Sequence, residues 1–202
     1  FGLEKLSGEV GGTAGNIAYT LGLLKQRPYV VSQVGTDFAA YHHWMKRHHI
    51  QTKTLRRIQS DVCPTAHIIT DLSDNQIAGF HFGAMKHSAL ADAKIKRAVQ
   101  TISTPASIGI LGAGNLADML ALVRIYRQKR VRYIVDPGQQ LVLLSPTQLK
   151  TILAGAHTMI VNDYELDLVL NKLKITRPQL QHSLPQLIVT LGSKGAVWYV
   201  GQ

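Results

Sequence analysis

The first residues in this 202-residue chain that favour ligand chemistry are two glycines ahead of a helix, followed by an asparagine. Gly11 and Gly12 come directly before a segment of helical periodicity, and Asn16 follows one helical turn later. Glycine lets a ligand hydroxyl approach the backbone, and the free N–H groups of a helix start attract polar groups. Glycine before a helix also occurs as simple turn chemistry, so both interpretations stay open on these residues alone.

Two strand-to-helix turns carry further candidates. The first contains Gly35 and Asp37, and the second contains Asn162 and Glu165 in the spacing Asn-x-x-Glu. Asp37 is positioned to cap the helix that follows it. Taken alone, the second motif has a structural explanation, because asparagine is a common N-cap and acids stabilise the first helical turn.

A glycine turn follows the strand-like run Leu187 to Leu191. Thr190 lies near the end of that run, and Gly192 and Gly195 lie in the turn. A hairpin turn needs glycine for its backbone conformation, so this pattern alone indicates a turn.

These candidates lie among runs of strand length that alternate with segments of helical periodicity. The predicted strands are Tyr29 to Val34, Ala106 to Leu111, Tyr133 to Asp136, Met159 to Val161 and Leu187 to Leu191. The predicted helices are Ala14 to Lys25, Phe38 to Arg47, Ala93 to Ile102, Asn115 to Gln128, Pro146 to Leu153 and Tyr164 to Leu173. This alternation predicts a three-layer α/β/α fold with a mostly parallel, Rossmann-like sheet, in which ligands collect beyond the carboxyl ends of the strands.

One region departs from this alternation. Two β-rich runs, Thr65 to Thr70 and Gln76 to Phe82, are joined by the turn-forming Ser73-Asp74-Asn75 and predict a hairpin. We expect this hairpin, residues 65–82, to form a small β lid together with residues 1–10. No internal repeat or linker indicates a second independent domain, so residues 1–202 are predicted to be one α/β domain.

The composition is that of a globular protein, with 46% hydrophobic residues and a single cysteine, Cys63. No uncharged apolar run reaches the roughly 18 residues of a membrane span, so we expect no membrane partner. One cysteine cannot form an internal disulfide, which fits a reducing cytoplasm.

The net charge of +10 would steer phosphate-bearing partners toward the chain. Basic residues gather in residues 46–49, 53–57 and 124–132. In the last segment the charges follow an apolar helical stretch and are typical of its solvated face and C-terminal turn. Aromatic residues do not interleave with the basic ones, so nucleic acid is not an expected partner.

Taken in order, these motifs resemble the amino-terminal signature of the ribokinase family of carbohydrate kinases, also called the phosphofructokinase-B family. The family pattern has two glycines, an asparagine followed two positions later by a small residue, and a Gly-x-Asp turn after the next strand. The residues that match are Gly11, Gly12, Asn16, Ala18, Gly35 and Asp37. Lys25 departs from the pattern, since glycine or serine usually ends that helix. The hairpin resembles the lid of the adenosine-kinase-like branch.

The resemblance implies an enzyme that transfers a phosphoryl group from ATP to a hydroxyl of a sugar or nucleoside. The substrate-binding residues are then Gly11, Gly12 and Asn16, and the nucleotide-binding residues are Asn162, Thr190, Gly192 and Gly195. Glu165 would act on Mg²⁺ through water, which agrees with an ion that keeps several waters and is held through few carboxylates.

The family's catalytic base is an aspartate in a Gly-Ala-Gly-Asp-like segment after the glycine turn, and residues 1–202 contain no match to it. The strand that brings a sugar-binding aspartate would lie before Phe1. We therefore expect a chain truncated at both ends, without a catalytic residue of its own and with little turnover. A remnant that binds ligand without catalysis is one alternative.

The sheet edge near Trp198 would lack its covering helices, and such an edge favours self-association as a homodimer.

A NAD-binding oxidoreductase is the other alternative. Gly112 and Gly114 fit Gly-x-Gly-x-x-Ala after a strand, and Asp136 ends the next strand about 20 residues later, as ribose recognition requires. The sequence Asp136-Pro137-Gly138 also resembles the Asp-Pro turn of the kinase family, which favours the kinase interpretation.

Overall fold

The computed structural model describes residues 5–201. The internal contacts divide the chain into two compact units, of which the first ends at His87 and the second begins at Ser88. Within residues 5–201, every helix falls short of the length and apolarity that a bilayer-spanning segment requires. The prediction of one domain with a lid stays a prediction.

Over its described residues, 5–87, the first unit contains two α-helices and two separate two-stranded sheets. The helices are α1 (Thr13–Leu23) and α2 (Ala39–Arg47). Strands β1 (Ser32–Val34) and β2 (Leu55–Arg57) pair in parallel, and strands β3 (Thr65–Thr70) and β4 (Gln76–His81) pair antiparallel. The predicted strand Tyr29 to Val34 is regular only at its carboxyl end, since Tyr29 forms a single parallel bridge with Gln51.

The core of the first unit is small and lies between the two helices and β1. Its buried members are Ala18, Val30, Val34, Phe38, Met45 and Ile50. Aromatic rings from both helices extend this core, with the ring centroids of Tyr19 and Trp44 5.2 Å apart. This packing fixes the start of α1 against α2.

The predicted hairpin is present as β3 and β4. All of its strand residues are exposed, including apolar side chains such as Ile68, Ile77 and Phe80. The other predicted part of the lid has no strand between residues 5 and 10, and residues 1–4 lie outside the described residues. Among the described residues of the predicted lid, only the hairpin therefore contributes β structure.

The base of the hairpin is held by a close backbone approach between Gly35 and the segment Val62-Cys63. A Cβ atom built at Gly35 would overlap the backbone of both Val62 and Cys63. On the other side, the Ala84 N–H donates to the Val62 carbonyl at 2.8 Å. The absence of a side chain at Gly35 thus lets the end of β1 lie directly against the chain that enters the hairpin.

The second unit is a five-stranded sheet with five helices. The strands are β5 (Ile108–Leu111), β6 (Arg132–Val135), β7 (Thr158–Asn162), β8 (Gln186–Thr190) and β9 (Ala196–Val200), in that order across the sheet. The helices are α3 (Ala93–Ile102), α4 (Leu116–Gln128), α5 (Pro146–Leu153), α6 (Asp163–Leu173) and α7 (Arg177–Ser183). Strands β5 to β8 are parallel, and β9 returns antiparallel to β8.

The strands of the second unit alternate between a fully buried and a half-buried face. Tyr133 and Val135 of β6, Met159 of β7 and Leu187 of β8 are buried on one face. This alternation follows the two-residue period of a strand and anchors each strand in the core. Because β5 to β8 are parallel, all four strands end at the same edge of the sheet, where the loops to the next elements begin.

We predict that Gly35→Ala destabilises the first unit. The added methyl has no space beside the Val62 and Cys63 backbone, and overpacking of this kind costs about 1–3 kcal/mol. Urea unfolding followed by Trp44 fluorescence in a Trp198→Phe background measures the change. Gly79→Ala is the matched control, because a Cβ at Gly79 meets no atom within 4 Å. Equal stability of the Gly35 and Gly79 variants would contradict the prediction.

Candidate functional site

Gly12 begins helix α1 in a backbone conformation that favours glycine. Its φ angle is +88°, and its carbonyl accepts the first helical hydrogen bond, from the Asn16 N–H at 2.9 Å. A Cβ built at Gly11 or Gly12 would meet no atom within 4 Å. The backbone at this turn is therefore bare and open, as a close-approaching ligand requires.

Asn16 lies one helical turn after Gly12, on the same face of α1. It is exposed, and its side-chain amide makes no hydrogen bond within residues 5–201. The three predicted substrate-binding residues are therefore brought together at one helix start. An amide that both donates and accepts, next to a bare backbone, suits the hydroxyls of a sugar ring.

Tyr41 of α2 holds this glycine turn in place. Its hydroxyl donates to the Gly11 carbonyl at 2.7 Å, and its ring packs so tightly on Gly15 that a Cβ there would overlap the Tyr41 hydroxyl. Burial raises the pKa of Tyr41, with the nearby Cys63 adding to the shift. The phenol therefore stays protonated and remains a donor.

Asp37 does not cap α2, contrary to the sequence-based expectation. The helix begins at Ala39 with Phe38 as its N-cap, and the Asp37 carboxylate instead accepts from the Cys63 N–H at 2.7 Å. This hydrogen bond lowers the pKa of Asp37. The Gly-x-Asp turn thus fixes the chain segment that leads into the hairpin.

In the second unit, Asn162 and Glu165 form a reciprocal capping box at the start of α6. Asn162 Oδ1 accepts from the Glu165 N–H at 2.7 Å, and Glu165 Oε2 accepts from the Asn162 N–H at 2.9 Å. The structural explanation of the Asn-x-x-Glu motif is therefore present. The pair also holds the carboxylate of Glu165 in a fixed position at the carboxyl edge of the sheet.

Thr190 lies beside Asn162, because the two residues are register partners at the ends of β8 and β7. The chain then turns into β9 through Gly192 and Gly195, whose φ angles are +58° and +86°. The Leu191 N–H donates to the Gly195 carbonyl at 2.7 Å and closes the turn. Both glycines are exposed with open space around them, so the turn leaves its backbone accessible.

Asp136, at the end of β6, is electrostatically coupled to Glu165. Burial raises the pKa of Asp136, and the negative charge of Glu165 raises it further, while a hydrogen bond from the Gly138 N–H opposes both. Because the protonated form is favoured in the folded chain, the stability contributed at this position decreases as the pH rises through the raised pKa. A cation between the two carboxylates would relieve this repulsion.

A metal site at this edge would rest on few protein ligands. Within residues 5–201, no three His, Cys, Asp or Glu side chains are grouped so that they could hold a metal ion. Two carboxylates with water suit Mg²⁺, which is usually bound through one or two carboxylates. The residues present therefore fit magnesium in the water-mediated form predicted for Glu165, with Asp136 as a second acid.

The chain matches known proteins over nearly its whole length. The sequence profile described as "pfkB family carbohydrate kinase" matches residues 4–202. A nucleoside kinase from Methanothermobacter thermautotrophicus is 29% identical over 197 residues, which cover 94% of this chain and 60% of the relative. The chain thus spans about three-fifths of the length of this relative.

Solved structures give the same result for the fold. The nucleoside kinase from Burkholderia thailandensis in complex with inosine has a TM-score of 0.85 at 30% identity, covering 95% of this chain and 62% of that one. The same enzyme in complex with ADP-inosine has a TM-score of 0.82 at 29% identity, covering 97% and 62%. The predicted ribokinase-like α/β fold is confirmed. The assignment of individual residues to ligands stays a prediction.

Sequence reasoning missed two residues near the candidate positions. Tyr41 lies 30 residues from Gly11, and no local pattern links them. The sequence places Asp136 in an Asp-Pro turn like that of the kinase family, but it does not predict that this acid lies near Glu165. The family match favours the kinase interpretation of this turn.

We predict that Tyr41→Phe loosens the glycine turn without unfolding the first unit. Loss of one hydrogen bond, worth about 0.5–1.5 kcal/mol, should speed amide hydrogen exchange of Asn16 roughly twofold to tenfold. The matched control is Tyr19→Phe, because Tyr19 makes only ring contacts in the described residues. Unchanged exchange at Asn16 in the Tyr41 variant would mean that this hydroxyl does not hold the turn.

We predict that Glu165→Gln lowers the pKa of Asp136. Glutamine keeps the capping box but removes the charge that raises the Asp136 pKa. A titration followed by the NMR signal of the Asp136 carboxyl carbon measures the shift. Asp167→Asn removes the same charge two positions later on α6 and should move the pKa less. If both variants act equally, the coupling reflects overall charge and not the neighbouring carboxylate.

Proposed function

The chain belongs to the pfkB family of carbohydrate kinases, and from this premise we propose that it acts in an ATP-dependent nucleoside kinase. The main support is the similarity to nucleoside kinases along 94–97% of the chain, including one bound to inosine. The bare turn of Gly11 and Gly12 beside the amide of Asn16 is consistent with a ribose ring as the bound group.

In this proposal, the start of α1 binds the nucleoside. The open backbone at Gly11 and Gly12 admits the ribose hydroxyls, and the Asn16 amide exchanges hydrogen bonds with them. Tyr41 keeps the turn rigid, so that less conformational entropy is lost on binding. The role of these residues is to bind and orient the acceptor hydroxyl.

The carboxyl edge of the second unit binds the nucleotide. We assign ATP to the glycine turn of Gly192 and Gly195, with Thr190 and Asn162 beside it. Exposed backbone N–H groups in such a turn suit phosphate oxygens. Support for ATP comes from the relative in complex with ADP-inosine.

Magnesium fits beside the nucleotide at Glu165 and Asp136. When bound, Mg²⁺ supplies charge neutralisation to the phosphates. Glu165 is fixed by its capping box, so its remaining oxygen Oε1 can accept from metal-bound water. Burial and the negative charge of Glu165 raise the pKa of Asp136, and a cation bound nearby would favour its ionised form.

The reaction is a phosphoryl transfer from ATP to a nucleoside hydroxyl. The hydroxyl oxygen forms a bond to the γ-phosphorus, the bond from that phosphorus to the β,γ-bridging oxygen breaks, and ADP leaves with the electron pair. The hydroxyl proton passes to a base. Among residues 5–201 we assign no residue to that step, and the family's aspartate segment is the expected acceptor.

We predict that Asn16→Ala weakens inosine binding about tenfold, because an asparagine amide supplies up to two hydrogen bonds of about 0.5–1.5 kcal/mol each. Calorimetry with inosine measures affinity, and release of ADP from Mg·ATP measures turnover with inosine, adenosine, ribose and fructose phosphate. Gln26→Ala is the control, since it removes an exposed amide beyond the other end of α1.

Three outcomes distinguish the alternatives. The proposal is supported if the chain prefers nucleosides over ribose and fructose phosphate, and if inosine affinity falls in the Asn16 variant but not in the Gln26 variant. Inosine binding without turnover, also after the family's aspartate segment is joined to the chain, supports the non-catalytic alternative. Equal inosine affinity in the Asn16 variant and the unchanged chain would overturn the assignment of the substrate to α1.

A further inference from the structure

A basic depression lies at the amino edge of the sheet in the second unit. It has a volume of about 470 Å³ and is bordered by the starts of β6, β7 and β8 and the ends of α4 and α7. Three arginines line it, Arg127 from the last turn of α4, Arg130 from the loop and Arg132 from the first position of β6. His157, directly before β7, adds a fourth basic side chain.

Nothing acidic neutralises these arginines. No acidic residue lines the depression, and within residues 5–201 none of the three arginines has a carboxylate partner at salt-bridge distance. The acids of the sheet loops, Asp136 and Asp163, lie at the carboxyl ends of β6 and β7. A five-residue strand separates the two edges by about 13 Å, so those acids screen the depression weakly.

The usual structural explanation covers only part of this cluster. A basic residue in the last turn of a helix is stabilised by the helix dipole, and Arg127 occupies such a position. Arg132 is outside the helix and begins a strand, where the dipole offers it nothing. Arg130 directly follows the C-cap Lys129 with a φ angle of +55°, and its N–H donates to the Arg127 carbonyl at 3.2 Å, so it belongs to the turn that ends α4.

The floor of the depression is firmly held. The hydroxyl of the buried Tyr133 lies 3.1 Å from the Ile152 carbonyl oxygen and 2.9 Å from the Ala154 carbonyl oxygen, and its single proton is shared between them, which fixes the loop before β7. In that loop, the left-handed Gly155 approaches the stem of Arg127, so that a Cβ there would lie 3.8 Å from Arg127 Cγ. The arginine stem thus has a defined contact beneath an exposed guanidinium.

His157 is oriented by a short hydrogen-bond chain. The Thr158 hydroxyl donates to Gln186 Oε1 at 3.0 Å, and it therefore accepts from His157 Nδ1 at 3.0 Å. Within the described residues, Nε2 of this imidazole makes no hydrogen bond. It remains available to a ligand in the depression.

We propose that this depression binds the phosphate group of a small molecule, held by the guanidinium groups of Arg127, Arg130 and Arg132. Guanidinium groups donate two parallel hydrogen bonds to phosphate oxygens, and the volume of the depression suits a small ligand. A nucleic acid fits less well, because Tyr126 and Tyr133, the aromatic side chains of the lining, are buried and offer no stacking surface.

The test is a titration of the chain with inorganic pyrophosphate, followed by backbone amide chemical shifts. The amides of Gly155 and Ser183 lie in the depression and report on it, whatever else the probe binds. We expect both signals to move saturably. The absence of a saturable shift in the unchanged chain would overturn the proposal, and this result does not depend on any variant folding.

A charge-matched pair of variants separates a site from general electrostatics. Replacing Arg127, Arg130 and Arg132 by glutamine should weaken the effect on Gly155 at least about tenfold. Replacing the exposed Lys94, Lys96 and Arg97 of α3 by glutamine removes the same charge and should leave it unchanged. The triple arginine-to-lysine variant keeps the charge but loses the paired donors, and it should bind with intermediate affinity.

Two further results would overturn the proposal. If the α3 variant weakens the pyrophosphate-induced shift of the Gly155 amide equally, the shift depends on the net charge of the chain and not on the depression. Tighter binding of a single-stranded oligonucleotide than of pyrophosphate, at equal phosphate concentration and with the same dependence on the arginines, would assign the surface to a nucleic acid instead.

Discussion

Parallel pairing of strands is the constraint on which the arrangement of this chain depends. Parallel strands must be joined by crossover connections, so every loop that follows a strand begins at the same edge of its sheet. In the second unit this places the turns after β6, β7 and β8 side by side, and with them Asp136, Asn162 and Thr190. Residues that are about 25 residues apart in sequence become neighbours for this reason alone.

Several candidate residues also stabilise the fold, and the two roles do not compete. The Asn162 and Glu165 pair satisfies the first N–H groups of α6, and the same hydrogen bonds fix the Glu165 carboxylate. Gly12 permits the left-handed turn that starts α1 and also leaves the backbone bare. A structural explanation of a motif is therefore no argument against a functional one, since rigid positioning is what binding requires.

The charges of the second unit are distributed along the strand direction. Carboxylates gather where the strands end, and three arginines gather where β6 begins. The acidic edge attracts a divalent cation and, through it, phosphates, whereas the basic edge attracts phosphates directly. The net charge of +10 gives no indication of this separation, because it sums over both edges.

The sequence alone determined the order of most strands and helices, although it missed α7 and β9, and it also determined the hairpin at residues 65–82 and the kinase motifs, because these depend on local periodicity and on glycine turns. It did not predict β2 or the bond between Asp37 and Cys63, since both join segments more than 20 residues apart. For the same reason, the sequence did not predict the hydrogen bond from Tyr41 to Gly11 or the effect of the Glu165 charge on Asp136. Only the tertiary structure decided them, because no local pattern encodes which side chain a distant backbone will meet.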